Sequence, residues 1–95
     1  MTRTYVVESF WPGVTEAAYT DGAARAAAAA RELRTTGRDI EFLGSMLIPS
    51  DEVAFWRFAS ESRTGVEETS AQAGLAYDRI LECLELSAEA ARATP

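Results

Sequence analysis

The sequence predicts an α+β domain in which a four-stranded antiparallel sheet carries two helices on one face. Four short stretches are rich in β-branched and aromatic residues, and two longer stretches of strong helix formers each end at a glycine. These stretches follow one another in the order β-α-β-β-α-β, which is the split pattern of the ferredoxin-like fold. We expect one such domain over residues 1–86 and a flexible C-terminal tail over residues 87–95.

The first strand and the first helix are bounded by clear turn and cap signals. Residues 4–10 (TYVVESF) have strand composition and are followed by a Trp-Pro-Gly turn. Residues 15–36 are rich in Ala, Glu, Arg and Leu, and Gly37 stands where a left-handed residue would end a helix. A second capping signal (TDG) leaves open whether the well-formed part of this helix begins only near Gly22.

The middle of the chain predicts a β-hairpin with two apolar faces. Residues 41–48 (EFLGSMLI) and 53–59 (VAFWRFA) flank a Pro-Ser-Asp-Glu turn. In both strands the two alternating sets of side chains are apolar, although a strand with one face in water needs only one apolar set. Because the second face must therefore be covered, we expect a homodimer that pairs two sheets across a two-fold axis and leaves a cleft between them.

The last third of the chain predicts a second helix and a fourth strand. Ser60 or Ser62 can cap a helix that ends with Gly74 at the left-handed position and Leu75 in the apolar position of a Schellman motif. Residues 78–86 have helical propensity but also suit a strand. A third helix at this position would leave the first strand without a second neighbour and would expose an apolar sheet edge, so we favour the strand.

Strand alternation assigns residues to the face of the sheet that the helices leave open. If Ala54, Trp56 and Phe58 face the helices together with Leu43 and Leu47, the opposite face carries the remaining set. That set is Val6, Glu8, Phe10, Phe42, Gly44, Met46, Phe55, Arg57, Ile80, Glu82 and Leu84. From it we predict a ligand-binding site formed by Glu8, Phe42, Met46, Phe55, Arg57 and Glu82.

Glu8, Arg57 and Glu82 are the charged members of that site and permit two interpretations. They can form an interfacial salt-bridge network that fixes the register of a dimer. Alternatively, Arg57 can pair with the carboxylate or phosphate of a ligand while Glu8 or Glu82 accepts a hydrogen bond or acts as a base. The function that we predict is a homodimeric small-molecule-binding protein with no catalytic residue assigned. The alternatives are a small cofactor-free enzyme of the dimeric α+β barrel type that uses a Glu base and Arg57, or, as the resemblance described below implies, a nickel-binding protein.

Composition and charge exclude several other classes. The chain has no His and a single Cys, Cys83, which excludes a Ser-His-Asp or Cys-His nucleophile, a His or multi-Cys metal cage and an internal disulfide. We expect Cys83 to be a small buried hydrophobe and predict no cofactor. Fifteen acidic against nine basic residues give a net charge of −6, so nucleic acid is not an expected partner. With no apolar run of membrane-spanning length and no targeting segment, we expect a cytoplasmic protein.

Several strings of residues resemble a known family. These are YVVESFWPG near the start, SMLIPSDE before the third strand, AS ahead of the second helix and AGLAYDRILE near the end. They are similar to small bacterial ferredoxin-like domains of unknown function, a family that includes a nickel-binding protein, and the likeness spans nearly all of residues 4–86. The resemblance implies the same fold and a homodimer. That family tends to have His, Cys and Tyr where this chain has Gly44, Phe55 and Arg57, so the ligands that suit nickel are replaced here.

Overall fold

The structure, a computed structural model, describes residues 2–92. Its elements are β1 (Arg3–Phe10), α1 (Glu16–Thr35), β2 (Ile40–Ile48), a 3-10 turn (Pro49–Asp51), β3 (Val53–Ser60), α2 (Arg63–Ala73), β4 (Arg79–Cys83) and α3 (Ala88–Arg92). The four strands form one sheet in the order β2-β3-β1-β4, and every neighbouring pair is antiparallel. The predicted β-α-β-β-α-β fold class is therefore confirmed.

The hydrophobic core lies between one face of the sheet and the two long helices. Trp56 and Phe58 of β3 are completely buried there, as is Val7 of β1. On the α1 side the buried residues are small, chiefly Ala26 and Ala30, and this lets the helix backbone approach the sheet closely. The shortest dimension of the molecule is 19 Å, which corresponds to one sheet and one layer of helices. The other face of the sheet has no layer of protein on it within residues 2–92.

Helix α1 is continuous from its first residue. Thr15 caps it through a hydroxyl oxygen that accepts a hydrogen bond from the Ala18 N–H at 3.1 Å. The second capping signal therefore lies inside the helix and does not shorten it. Gly22, which belongs to that signal, is buried against β3, where a Cβ atom would lie 3.0 Å from Cη2 of Trp56. Gly22 therefore allows α1 to approach the sheet closely. It does not mark the start of the helix.

Helix α2 begins and ends as the sequence predicts. Ser62 is the N-cap residue, and its hydroxyl accepts a hydrogen bond from the Gly65 N–H. Gly74 adopts the left-handed conformation with φ of 69°, and the N–H of Leu75 donates to the Ser70 carbonyl at 2.9 Å. These hydrogen bonds and the buried Leu75 side chain form the expected Schellman motif.

Replacing Gly74 by Ala is expected to lower the free energy of unfolding by about 1–2 kcal/mol, because a side chain is disfavoured in the left-handed region. The new Cβ would also lie 3.0 Å from Nη1 of Arg25. Gly13→Ala is a matched control, since Gly13 has φ of +76° but no atom within 4 Å of its Cβ position. Urea denaturation should show a larger loss for Gly74→Ala. Equal losses would mean that Arg25 moves aside without cost.

The C-terminal third contains a strand and a short terminal helix. The alternative of a third long helix after α2 is wrong, because Arg79–Cys83 pairs with β1 along its whole length. After β4 the chain forms one short helix, Ala88–Arg92, in which no residue is buried. The predicted flexibility of residues 87–95 stays a prediction, and residues 93–95 lie outside the described part of the chain.

Strand β2 contains a β-bulge that changes which of its side chains face the helices. The register runs Phe42 opposite Phe58, then Gly44 opposite Arg57, so that Leu43 has no partner. The bulge lies at Gly44, whose φ is +134°. Residues with a side chain rarely adopt this backbone conformation, so the glycine permits the bulge here. Alternation along β2 is therefore interrupted at the bulge.

Candidate functional site

The face of the sheet opposite the helices is the candidate site, and the strand register defines its members. We call it the open face. It comprises Thr4, Val6, Glu8 and Phe10 of β1, Glu41, Gly44, Met46 and Ile48 of β2, Val53, Phe55, Arg57 and Ala59 of β3, and Arg79, Leu81 and Cys83 of β4. Four of the six predicted site residues, Glu8, Met46, Phe55 and Arg57, lie on it.

Phe42 was predicted to be part of the site on the open face, and this prediction is wrong. It lies opposite Phe58 on the helix-covered face, where the two rings pack with centroids 5.3 Å apart. The physical reason is the bulge, because uninterrupted alternation would have placed Phe42 on the same face as Gly44 and Met46. The same bulge moves Leu43 out of its predicted core position, and its side chain is 37% exposed. Leu47 does pack against the core as expected.

Glu82 is likewise not part of the open face, because β4 has the opposite parity to the one predicted. Ile80 lies opposite Val7 and is buried in the core, and Glu82 lies opposite Tyr5 on the same side. The loop before β4 sets this register. The Ser9 hydroxyl donates to the Ala76 carbonyl at 2.7 Å. Leu84, predicted on the open face, lies beyond the end of β4 and is fully exposed.

The open face is largely apolar and much of it is accessible. Phe10 and Met46 are 58% and 54% exposed, and Leu81 is 39% exposed. Phe55 lies between Met46 and Glu8 in the register and is half-buried. Contiguous exposed apolar surface of this kind is uncommon on soluble monomers and indicates a surface that binds something.

The charged groups of the open face form two separate ion pairs instead of the predicted triad. Nε of Arg79 donates to Oε1 of Glu8 at 2.7 Å. Nη2 of Arg57 lies 2.8 and 2.6 Å from the two carboxylate oxygens of Glu85. Glu82 instead lies 3.6 Å from Arg3. The sequence reasoning missed Arg79 and Glu85, because the parity assigned to the predicted strand over residues 78–86 placed both on the helix-covered face. In the structure β4 ends at Cys83, and Glu85 lies beyond it.

Each ion pair is partly exposed and therefore contributes modestly to stability. The hydrogen bond to Glu8 raises the pKa of the Arg79 guanidinium, which keeps this group charged. The side chains of Arg57 and Glu85 are 35% and 45% exposed, and such pairs contribute about 0–1 kcal/mol. Because Glu85 lies beyond the end of β4, it can leave Arg57 without breaking any strand pairing. The guanidinium of Arg57 is therefore available for exchange with another anion.

Cys83 ends β4 on the open face and is half-buried. Burial, with a contribution from nearby Glu85, raises the pKa of the thiol above its usual value near 9.0, while Arg57 lowers it to a smaller extent. The folded thiol holds its proton more tightly than the unfolded one. The contribution of this group to stability is therefore lost as the pH rises through the folded pKa.

The raised pKa predicts slow alkylation of Cys83 by iodoacetamide below about pH 8, since the thiolate is the nucleophile. Glu85→Gln is expected to lower the pKa of the thiol and accelerate the reaction, and Arg57→Gln to slow it. The chain unfolded in urea is the control, because its thiol has the ordinary pKa. An alkylation rate that is equal in the folded and unfolded chains would contradict the assignment.

The side chains of the described residues do not provide a metal centre. Within residues 2–92 no group of three or more His, Cys, Asp or Glu side chains lies close enough to hold an ion. Gly44 and Arg57 are register partners on the open face, and Phe55 lies two residues away on β3. None of the three offers a donor that binds nickel. The nickel site of the family that the motifs resemble therefore does not fit this chain.

Comparisons with known proteins identify the fold class. No protein-family model and no curated protein matches the sequence. Among solved structures, the crystal structure of SCO4226 from Streptomyces coelicolor A3(2) is similar, with a TM-score of 0.64 and 18% sequence identity over 90% of this chain and 99% of that chain. At this identity the likeness shows a shared fold alone. The family resemblance of the sequence motifs stays a prediction. Within residues 2–92 no helix is both long enough and apolar enough to cross a bilayer.

Proposed function

We propose that this chain is a homodimeric small-molecule-binding protein whose two open faces pack together and enclose the ligand between them. The observation that supports the proposal is an apolar sheet face, centred on Phe55 and Met46, that no part of the described chain covers. A cytoplasmic location belongs to the same proposal. Catalysis and metal binding do not, because no observation on the open face favours either.

A second copy of the chain is the occupant that the charges of the open face favour. The whole chain has a net charge of −6, so most of its surface repels another copy. The part of the open face around Phe55 is different, because the negative charges of Glu8 and Glu85 are balanced there by Arg79 and Arg57. Glu41 lies apart from them, near the start of β2. An isologous interface must be complementary to itself, and a central patch with two charges of each sign satisfies that condition.

Arg57 gives the enclosed space its proposed ligand chemistry. Sheets twist, so two of them packed face to face do not touch at every point, and a cleft remains between them. The apolar side chains of Phe55 and Met46 would hold the body of a ligand. Arg57 would hold its carboxylate or phosphate after releasing Glu85, because a planar guanidinium recognises such groups with paired hydrogen bonds. The ligand class is therefore a small, largely apolar molecule with one anionic group.

Native mass spectrometry of the purified protein, with no ligand added, tests both parts of the proposal. The expected result is a species with the mass of two chains, part of which retains a small-molecule adduct. A monomer at all protein concentrations up to the high micromolar range would contradict the dimer.

Arg57→Leu then separates the two interpretations of this arginine. We expect the adduct to be lost while the dimer persists with at most a small loss of affinity, because the exposed pair with Glu85 contributes only about 0–1 kcal/mol. A weakened dimer that retains the adduct would assign Arg57 to the interface network and not to the ligand.

A further inference from the structure

We propose a second ligand site in the cavity between the C-terminal end of β1, α1 and the loop that joins α2 to β4, which adjoins the open face at Phe10 but contains none of the residues of the first proposed site. The chemistry of this cavity suits a small aromatic carboxylate. The cavity has a volume of about 250 Å3. It is lined by Ser9, Phe10, Trp11, Arg25, Trp56, Gly74, Leu75 and Ala76. This volume is slightly below the ~300–1,000 Å3 of typical ligand pockets, which points to a ligand with a single substituted ring.

The walls of the cavity present flat apolar surface. Trp11 and Trp56 have ring centroids 6.5 Å apart and are inclined at 43°, and Leu75 lines the same space. Trp56 donates its indole N–H to the Ser9 hydroxyl oxygen at 3.0 Å, and that hydroxyl donates to the Ala76 carbonyl. Because these polar groups satisfy one another, they do not require a polar ligand. An aromatic ring is the body that such walls accommodate best.

Arg25 is the one charged side chain that lines the cavity, and it is held in place before any ligand arrives. Nε donates to Oδ2 of Asp21 at 3.0 Å, and Nη1 donates to the carbonyls of Ala73 and Gly74 at the end of α2. Within residues 2–92, Nη2 donates no hydrogen bond. A carboxylate can therefore bind to Nη2 of a guanidinium that is already ordered, so little conformational entropy is lost on binding.

A purely structural role explains only part of this arrangement. Capping the carbonyls at the end of α2 uses Nη1 alone, and a lysine ammonium would serve for that. Nη2 lies 3.7 Å from the Cβ position of Gly22, a point that Cη2 of Trp56 and Cδ2 of Leu75 approach to 3.0 and 3.7 Å. This placement next to two walls of the cavity has no role in capping. A carboxylate attached to a ring would use the free donor and the apolar walls together.

The chain provides a specific reporter of this cavity, because Trp11 and Trp56 are its only two tryptophans and both line it. The experiment is a titration of the full chain followed by the two indole N–H signals in the 1H-15N NMR spectrum. The probes are 4-methylbenzoate and the neutral 4-methylbenzamide, which have nearly the same shape. We expect saturable shifts of both signals at millimolar or lower benzoate, and about tenfold weaker binding of the benzamide. Absence of saturation, or equal binding of the two probes, would overturn the proposal.

Three variants test the role of Arg25. Arg25→Lys keeps a cap on α2 but removes Nη2, and it should weaken benzoate binding about tenfold. Arg31→Gln removes a charge from the exposed surface of α1 and should change binding by less than about twofold. Asp21→Asn keeps an amide oxygen that can accept from Nε of Arg25 but removes the negative charge beside the guanidinium, and it should therefore strengthen binding of an anion. Equal binding by Arg25→Lys and Arg31→Gln, or weaker binding by Asp21→Asn, would contradict the site.

The two proposals fail independently. Phe55 does not line the cavity, so Phe55→Asp should leave the indole shifts caused by benzoate unchanged, whatever it does to the dimer. If Arg25→Lys does not fold, Asp21→Asn still decides the question, because an increase in affinity cannot result from unfolding.

Discussion

Replacing Phe55 by Asp is expected to convert the proposed dimer into a folded monomer. Phe55 lies on β3 near the middle of the open face, with Met46 and Glu8 as its register partners. In the dimer the new carboxylate would be buried against apolar side chains without a partner, at a cost of about 3–5 kcal/mol. A two-fold interface contains the substitution twice, so the association constant should fall by several orders of magnitude. Size-exclusion chromatography with light scattering measures the change directly.

The fold should survive Phe55→Asp, because Phe55 does not contribute to the core between sheet and helices. The residues of β3 that do are Ala54, Trp56 and Phe58, all on the opposite face. Ala17→Asp is the matched control, since it adds the same charge at an exposed position in the first turn of α1, where an acidic residue is favourable. The control should remain dimeric. A Phe55→Asp protein that stays dimeric at low micromolar concentration would remove the open face from the interface.

The fold could be predicted from the sequence because its local signals agree with one another. The caps at Ser62 and Gly74 mark both ends of α2, and the Schellman residue Leu75 is buried as expected. In β3 strict alternation holds from Val53 to Ser60, so the assignment of Trp56 and Phe58 to the core was correct. Where one face of a strand is this strongly apolar, no other register buries the same residues.

The errors in the candidate site have two physical origins, a bulge that interrupts the alternation of β2 and a register of β4 that contacts outside the strand determine. Gly44 lies inside an apolar stretch of β2, and an isolated glycine in a strand is a known sign of a bulge. The prediction treated β2 as regular at Gly44, and it therefore placed Phe42 on the open face instead of the helix-covered face. In β4, composition alone did not determine whether Ile80 or Leu81 faces the core. The loop that precedes β4 made that choice through contacts across the fold, such as the Ala76 carbonyl that accepts from the Ser9 hydroxyl.

The proposed cavity had a visible sequence signal that was not used. Arg25 is the only charged residue within the stretch of alanines from Ala23 to Ala30, and its side chain is 42% exposed. The structure gives its guanidinium a defined set of acceptors, which are Asp21 and the end of α2. Ala73, at the end of α2, lies 48 residues from Arg25 in the sequence, so local sequence patterns contain no information about this contact.

The second large effect is expected at Trp56, whose replacement by Ala should lower the free energy of unfolding by about 3–5 kcal/mol. Trp56 is completely buried and is the largest side chain of the core. It packs against Tyr19 with ring centroids 5.6 Å apart and also forms a wall of the cavity beside Arg25. A domain of this size has a total stability of roughly 5–15 kcal/mol, so the variant should lose between about a fifth and all of that stability.

Urea denaturation followed by circular dichroism measures the loss, and the Phe55→Asp background removes any contribution of dimerisation to the apparent stability. Trp56→Phe is the control, since it retains an aromatic ring but no indole N–H for Ser9. We expect it to cost only about 1–2 kcal/mol, because the Ser9 hydroxyl keeps its hydrogen bond to Ala76. If Trp56→Ala and Trp56→Phe were equally destabilising, the hydrogen bond to Ser9 and not the volume of the indole would hold α1 and the α2–β4 loop against the sheet. The cavity would then depend on that polar contact, and its walls would not be the preformed apolar surface that the proposed aromatic ligand requires.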